Sequence, residues 1–134
     1  MIIEINKDNI KELANSFIST EYVEKELSNN PFGVFLILKE NEEIIGYLYY
    51  SDIYERAEIN QFEINNIHRN CGKGSILLSY FLKKVDKDVT LEVREDNKEA
   101  IHLYEKNGFI KRAIRSNYYG HKDGILMERM MKDE

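Results

Sequence analysis

Seven residues ahead of a helical repeat carry the clearest chemistry in this chain. Arg69-Asn70-Cys71-Gly72-Lys73-Gly74-Ser75 separates a partly apolar run (Phe62, Ile64, Ile67) from Ile76, Leu77, Leu78, Phe81, Leu82 and Val85, which recur at helical spacing. The stretch from Gln61 to Val85 therefore predicts strand, glycine turn and helix. Two glycines one residue apart let the backbone approach a ligand with no side chain in the way. The first amides of the following helix lack partners within it and point outward with the positive end of the dipole behind them, which suits a phosphate or pyrophosphate. Arg69 and Lys73 add positive charge on the same turn. The spacing is not that of a Walker loop, which needs Gly-Lys-Ser or Gly-Lys-Thr after a four-residue gap, nor of a dinucleotide loop, which needs a third glycine. The plain alternative is a turn that only redirects the chain.

The elements that must hold this turn follow from the pattern on either side. Ile3 and Ile5 flank Glu4 in a short strand, and from about Asp8 the residues Ile10, Leu13, Ala14 and Phe17 predict a helix capped by Asn6 or Asp8. Ser19 or Thr20 is placed to cap a second short helix with Tyr22, Val23 and Leu27, which Asn29-Asn30-Pro31 ends. Gly33 to Leu38 is nearly all apolar, Glu40-Asn41-Glu42 is a polar turn, and Ile44 to Tyr50 returns, predicting a hairpin. A strand from about Ala57 to Ile64 feeds the glycine turn. Val89 to Val93 predicts a further strand, and Asp96 with Glu99 reads as a capping box for a helix carrying Ala100, Ile101, Leu103 and Tyr104. Gly108 is placed to end that helix in a left-handed conformation. Phe109 to Tyr119 and Gly124 to Met131 read as closing strands around a turn from Gly120 to Asp123. The order β-α-α-β-β-β-α-β-α-β-β predicts an α+β domain with helices on both faces of a mixed sheet.

Composition narrows the function classes. At 134 residues, with 43% hydrophobic and 32% charged residues, the chain has the length and make-up of one soluble globular domain. No apolar run approaches the ~20 residues that span a bilayer, and the start of the chain lacks the basic-then-apolar order of a secretory signal. The expectation is a cytoplasmic protein without membrane contact. A net charge of −5 disfavours a nucleic-acid partner and suits a cationic amine drawn to an acidic cleft. The single cysteine, Cys71, rules out an internal disulfide, and no Cys/His cluster has metal-ligand spacing, so no metal is expected. Cys71 stands in the glycine turn, where a helix N-terminus can activate a thiol. His68, His102 and His121 are scattered and belong to no motif.

The glycine turn, Arg69-x-x-Gly72-x-Gly74 ahead of an amphipathic helix, resembles the acyl-coenzyme A loop of the GNAT superfamily of N-acetyltransferases. A second stretch makes the likeness specific: Leu91-Glu92-Val93-Arg94, Asn97, Ala100, Leu103-Tyr104, Gly108-Phe109, Arg115, Tyr118-Tyr119 and Met127. It closely resembles the C-terminal half of the bacterial RimI-type enzymes of that superfamily, which acetylate the N-terminal amine of a ribosomal protein. The resemblance implies a single GNAT domain over residues 1–134, with a mixed, mostly antiparallel sheet and a splayed central pair of parallel strands. It implies acetyl-coenzyme A as cofactor, with backbone groups near Ile64 and Asn66 pairing with the pantetheine arm almost as an added strand. The loop Arg69, Asn70, Cys71, Gly72, Lys73, Gly74 and Ser75 would carry the cofactor's phosphates on its amides, with a side-chain contact from Asn97. Glu92 is implied as general base, directly or through a water, Tyr104 as the acid beside the sulfur, and Tyr118 and Tyr119 as neighbours of the acceptor.

Taken alone, Glu92 reads as an exposed strand residue or a partner of Arg94 or a lysine, Tyr104 as a core aromatic, and Tyr118 and Tyr119 as packing at a strand end. Glu58 is the alternative base, because it stands where the histone-type members of the superfamily carry theirs. Glu63 is a further carboxylate on that strand, and strand alternation predicts that Glu58 and Glu63 face opposite ways. The first half of the chain departs from the RimI pattern: Ile18-Ser19-Thr20-Glu21 replaces a Pro-Trp pair, Asn65-Asn66 replaces Asp-Pro, and the last hairpin turn is short. The acceptor classes that fit are a protein N-terminus, such as that of a ribosomal protein, a lysine side chain, or a small amine such as a polyamine or amino sugar. A silent acyl-coenzyme A sensor is the reading from another class, and either a monomer or a homodimer is compatible with the sequence.

Overall fold

Runs of β-branched and aromatic residues between polar turns make the backbone of this protein a sheet. A computed structural model of the chain describes residues Met1 to Met131. Its strands are β1 (Ile2–Ile5), β2 (Gly33–Glu40), β3 (Glu43–Ile53), β4 (Arg56–Ile64), β5 (Asp88–Arg94), β6 (Ile110–Tyr119) and β7 (Lys122–Arg129). They form one sheet in the order β1-β2-β3-β4-β5-β7-β6. All neighbours are antiparallel except β4 and β5, which run parallel. The helices are α1 (Thr20–Asn29), α2 (Lys73–Val85) and α3 (Lys98–Lys106). No helix of the described residues is long and apolar enough to cross a membrane.

Two cores follow from the alternation of side chains along the strands. On one face, Leu48, Tyr50, Ala57, Ile59, Leu91 and Val93 pack against Leu77, Phe81, Ile101 and Tyr104 of α2 and α3. On the other, Phe35, Ile37, Tyr47 and Tyr49 pack with Val23 of α1 and with Leu13 and Ile18. There the Phe35 and Tyr49 rings stack at 4.1 Å with planes 4° apart. This second core draws only on β1, β2 and β3, so α1 covers one half of its face. The other half, over β5, β7 and β6, is open, and every residue of β6 is exposed.

The local signals decide where helices begin and end. Ser19 caps α1, its Oγ accepting from the Tyr22 amide at 3.1 Å, and α1 stops before Asn30-Pro31. Gly108 has φ +91 and terminates α3 as expected. Two readings are corrected. The helix expected from Asp8 is a short 3₁₀ turn, Ile10–Leu13, because Asn6 and Asn9 bond each other's backbone in local turns that compete with a helix. The cap of α3 is Asn97, whose Oδ1 accepts from the Ala100 amide at 3.3 Å, and Asp96 is instead paired with Arg94 at 2.9 Å.

Candidate active site

The site begins where two parallel strands part. β4 and β5 pair from Arg56 opposite Asp88 to Ile59 opposite Leu91 and no further. Beyond that point β4 stays with β3 as far as Ile64, and β5 stays with β7 as far as Arg94. Each strand is held by its own outer neighbour, so a gap opens between them, edged by backbone groups of β4 that β5 leaves unpaired.

A bulge sits at the point of parting. Tyr50 pairs with Ile59 and Tyr49 with Gln61, so Asn60 is an extra residue in β4. Its Nδ2 donates to Ser51 Oγ at 2.9 Å. The bulge changes the phase of the strand: Ala57 and Ile59 face the α2/α3 core before it, Phe62 and Ile64 after it. Glu58, opposite Ser51, and Glu63, opposite Tyr47, therefore face the same side of the sheet, and the expectation of opposite faces is corrected. Glu92 is on that side as well, since Leu91 and Val93 point into the α2/α3 core.

Past Ile64 the chain makes a 3₁₀ turn, Asn66–His68, and enters the glycine loop. Asn70 and Gly72 have φ +63 and +77, and Gly72 precedes α2 with no side-chain cap. The amides that open α2 are thus free for an anion. A Cβ on Gly72 would meet nothing within 4 Å, so this glycine serves the left-handed turn and leaves open space above it. Gly74 differs, because a Cβ there would lie 3.2 Å from Leu103 Cδ2; it allows α2 to pack closely on α3. The expected charge on the loop is corrected in part, since Lys73 Nζ is held by Glu40 Oε1 at 2.7 Å on the β2–β3 turn. Glu40 is held below the usual carboxylate range chiefly by that hydrogen bond. Arg69 turns back and donates from Nε to the Ile64 carbonyl at 3.0 Å.

A cavity of about 510 Å³ lies over the loop and the mouth of the gap. Of the residues singled out in the sequence, Ile64, Arg69, Asn70, Gly72 to Ser75 and Asn97 line it. Asn66 stands exposed on the 3₁₀ turn, and Cys71 is exposed with Sγ donating to the Arg69 carbonyl at 3.4 Å. Tyr104 is 6% exposed, beneath the cavity rather than in its lining. Sequence reading missed Phe62, His102, Leu103 and Lys106, which also line it. Part of the signal was there: on α3, Glu99, Leu103 and Lys106 recur at helical spacing on one face, just after Asn97.

The two groups expected to move protons approach from opposite faces of the sheet. Tyr104 lies between Phe62 and Phe109, with ring centroids at 6.2 and 5.5 Å, and burial followed by the nearby Tyr119 hydroxyl pushes its own hydroxyl well above the usual phenol range. Glu92 carries an ion pair on one oxygen, Oε1, with Arg115 Nε at 3.1 Å. Its other oxygen, Oε2, is the one buried side-chain oxygen or nitrogen among the described residues without a hydrogen-bond partner. Arg94, the partner considered from sequence, pairs with Asp96. Tyr119 feels one and acts on the other: its hydroxyl is raised first by burial, then by Glu92 and Tyr118, and lowered by Arg94, and it raises that of Tyr104. Tyr118 and Tyr119 meet edge to face at 4.9 Å. Glu58 is 45% exposed and only 3.8 Å from Arg56, outside this group.

The family model described as "Acetyltransferase (GNAT) family" matches residues 4–109. The chain belongs to this family of N-acetyltransferases. Among its relatives, the ribosomal protein bS18-alanine N-acetyltransferase of Haemophilus influenzae is 36% identical over 75% of this chain and 76% of its own length. The enzyme of the same name from Escherichia coli strain K12 is 30% identical over 67% and 66%. The crystal structure of the ribosomal-protein-S18-alanine N-acetyltransferase from Escherichia coli superposes on 100% of this chain and 95% of its own with a TM-score of 0.83 at 20% identity, which shows the shared fold. GNAT enzymes take their acetyl group from acetyl-coenzyme A, and this chain is an acetyl-coenzyme A-dependent N-acetyltransferase of the RimI-like kind. The residues at hand suit that co-substrate: an uncapped helix start, open space above Gly72, and a cavity that leads into a gap with a free β4 edge.

Proposed function

We propose that this protein acetylates the α-amine of a protein N-terminus, with Glu92 as base and Tyr104 as acid. The observation that carries the reading is the buried, unpartnered Oε2 of Glu92 on the open half of the sheet, level with the parting of β4 and β5. A polar atom left bare in a folded protein is costly, and an incoming amine supplies the missing donor. The relatives' names support the choice of acceptor, since those enzymes act on an N-terminal alanine of a ribosomal protein.

Acetyl-coenzyme A supplies the acetyl group as a thioester. The amides of Gly72 to Ser75 hold its phosphates, while the β4 edge around Ile64 and the side chain of Asn97 orient the pantetheine arm. Glu92 Oε2 takes one proton from the ammonium of the acceptor, directly or through a water, and the second passes from nitrogen to solvent as the new C–N bond forms. The C–S bond then breaks, and Tyr104 gives its proton to the departing thiolate. Burial keeps the Tyr104 hydroxyl protonated over the working range, so the proton is present when the thiolate leaves, while the same burial makes it the weaker acid; the tyrosinate recovers its proton from solvent after transfer. Tyr118 and Tyr119, at the tip of β6 beside Glu92, flank the acceptor.

The test is a thiol-release assay with acetyl-coenzyme A against three acceptors: peptides with free N-termini, lysine peptides with blocked N-termini, and polyamines. Transfer to free N-termini alone supports the proposal. Transfer to polyamines or lysine alone overturns the acceptor, and tight cofactor binding with no transfer to any of them overturns catalysis in favour of a sensor.

A further inference from the structure

Arg115 does not reach Glu92 by chance of a flexible side chain. The two residues lie on β6 and β5, with β7 between them. Gly124 of β7 is the register partner of both Arg94 and Arg115, so it stands on the line that Arg115 must cross. A Cβ on Gly124 would fall 2.9 Å from Tyr118 Cδ2 and 3.1 Å from its Cβ; Tyr118 fills the place where a side chain would be. The guanidinium of Arg115 then sits 5.0 Å over the Tyr118 ring, and its Nε meets Glu92 Oε1. Tyr118 lies against Gly124 while remaining half exposed, next to an irregularity in β6 where Asn117 has φ +55 and its amide donates to Asp123 Oδ1 at 2.9 Å. Glycine, aromatic ring, guanidinium and carboxylate form one stack.

We propose that Arg115 is the positioning residue for the base: propped on Tyr118, it holds Oε1 of Glu92 so that the buried Oε2 alone is left to receive the acceptor's proton. This rests on the reading of Glu92 as base. An isolated surface pair is worth little; here the Glu92 side chain is only 19% exposed, and the arginine, itself 57% exposed, rests over an aromatic face. Other charged and titratable groups on this face are engaged elsewhere: Arg94 with Asp96, Glu128 of β7 with Arg112, Glu58 of β4 with Arg56, and Glu63 of β4 with the Tyr47 hydroxyl, which leaves Tyr119 and its register partner Lys122 at the tip of the β6–β7 hairpin.

The test compares the wild type with Arg115→Gln, Arg115→Lys, Gly124→Ala and Glu92→Gln, each checked for thermal unfolding, on one peptide acceptor. Arg115→Gln is expected to lower kcat about 10- to 100-fold, with the KM for acetyl-coenzyme A within twofold and the melting temperature near wild type. Arg115→Lys recovers part of the rate because the charge is kept, yet not all of it, because the rigid fork is lost. Gly124→Ala displaces the ring and lowers kcat the same way by less. A kcat unchanged in both Arg115→Gln and Gly124→Ala overturns the inference. Glu92→Gln separates the two ideas: full activity there defeats the base assignment itself, whereas an inactive Glu92→Gln beside an unchanged kcat in Arg115→Gln defeats only the positioning role.

Discussion

Gly74 and Leu103 set how closely α2 can rest on α3, because a Cβ on Gly74 would come within 3.2 Å of Leu103 Cδ2. Both residues line the cavity, so a wedge there moves the helix start that faces the cofactor. Gly74→Ala is expected to raise the KM for acetyl-coenzyme A several-fold with little change in melting temperature, since the flexible end of Leu103 can yield. Gly72→Ala has the opposite balance: the space above is open, but φ is +77, and the left-handed conformation costs a non-glycine residue about 1 kcal/mol. Thermal unfolding and cofactor titration on the two variants separate strain from wedging.

The bases compete on exposure. Glu58 is 45% exposed beside Arg56, whereas the Glu92 side chain is 19% exposed with a buried free oxygen. Glu92→Gln is expected to reduce kcat by about 100-fold or more, the usual scale for loss of a general base, and Glu58→Gln by less than about threefold. Equal losses, or a larger one for Glu58, would return the role to Glu58.

Much of this arrangement was legible in the sequence, and the misses have physical causes. Strand and helix periods gave the sheet, α2 and α3, and the glycine loop was plain from Gly72 and Gly74. The bulge was written there as well: Asn60-Gln61 breaks the alternation Ala57, Ile59, then Phe62, Ile64, and reading the strand as unbroken put Glu58 and Glu63 on opposite faces. Spacing could not reveal the Glu92–Arg115 pair, which depends on β7 lying between β5 and β6, nor the capture of Lys73 by Glu40 across 33 positions of sequence. Such contacts come from topology, which local patterns do not encode.

Tyr104→Phe separates packing from chemistry. The ring keeps its contacts with Phe62 and Phe109, so stability and cofactor affinity are expected to stay near wild type. Turnover is expected to fall about 100-fold, because only the proton for the thiolate is removed. Unchanged turnover in a single-turnover assay would remove Tyr104 from the acid role.

Alkaline pH is expected to unfold this protein through partly buried Tyr22 and buried Tyr50. Burial, then Glu26, raises Tyr22 to about 12, and burial, then Glu4, raises Tyr50 to about 12, against a reference of 10.0. In the unfolded chain both lose their protons near the reference value, so above it the native state binds more protons than the unfolded one, and stability falls as pH rises. The loss begins near pH 10 and runs on to about pH 12. Denaturant melts followed beside tyrosinate absorbance check this; stability flat across that window would contradict it.

Asn97 has two duties that one substitution can split. Its Oδ1 caps α3 through the Ala100 amide, and its side chain lines the cavity. Asn97→Ala removes both and is expected to cost about 1 kcal/mol of stability, the usual value of an N-cap, together with cofactor affinity. Asn97→Asp keeps a capping oxygen and adds a charge that the helix N-terminus favours, so stability is retained. It replaces an amide donor with a carboxylate facing an anionic co-substrate, and the KM for acetyl-coenzyme A is expected to rise at least as far as in Asn97→Ala. If Asn97→Asp instead binds acetyl-coenzyme A as well as the wild type does, Asn97 is a cap alone, and the pantetheine arm is oriented by the β4 edge without it.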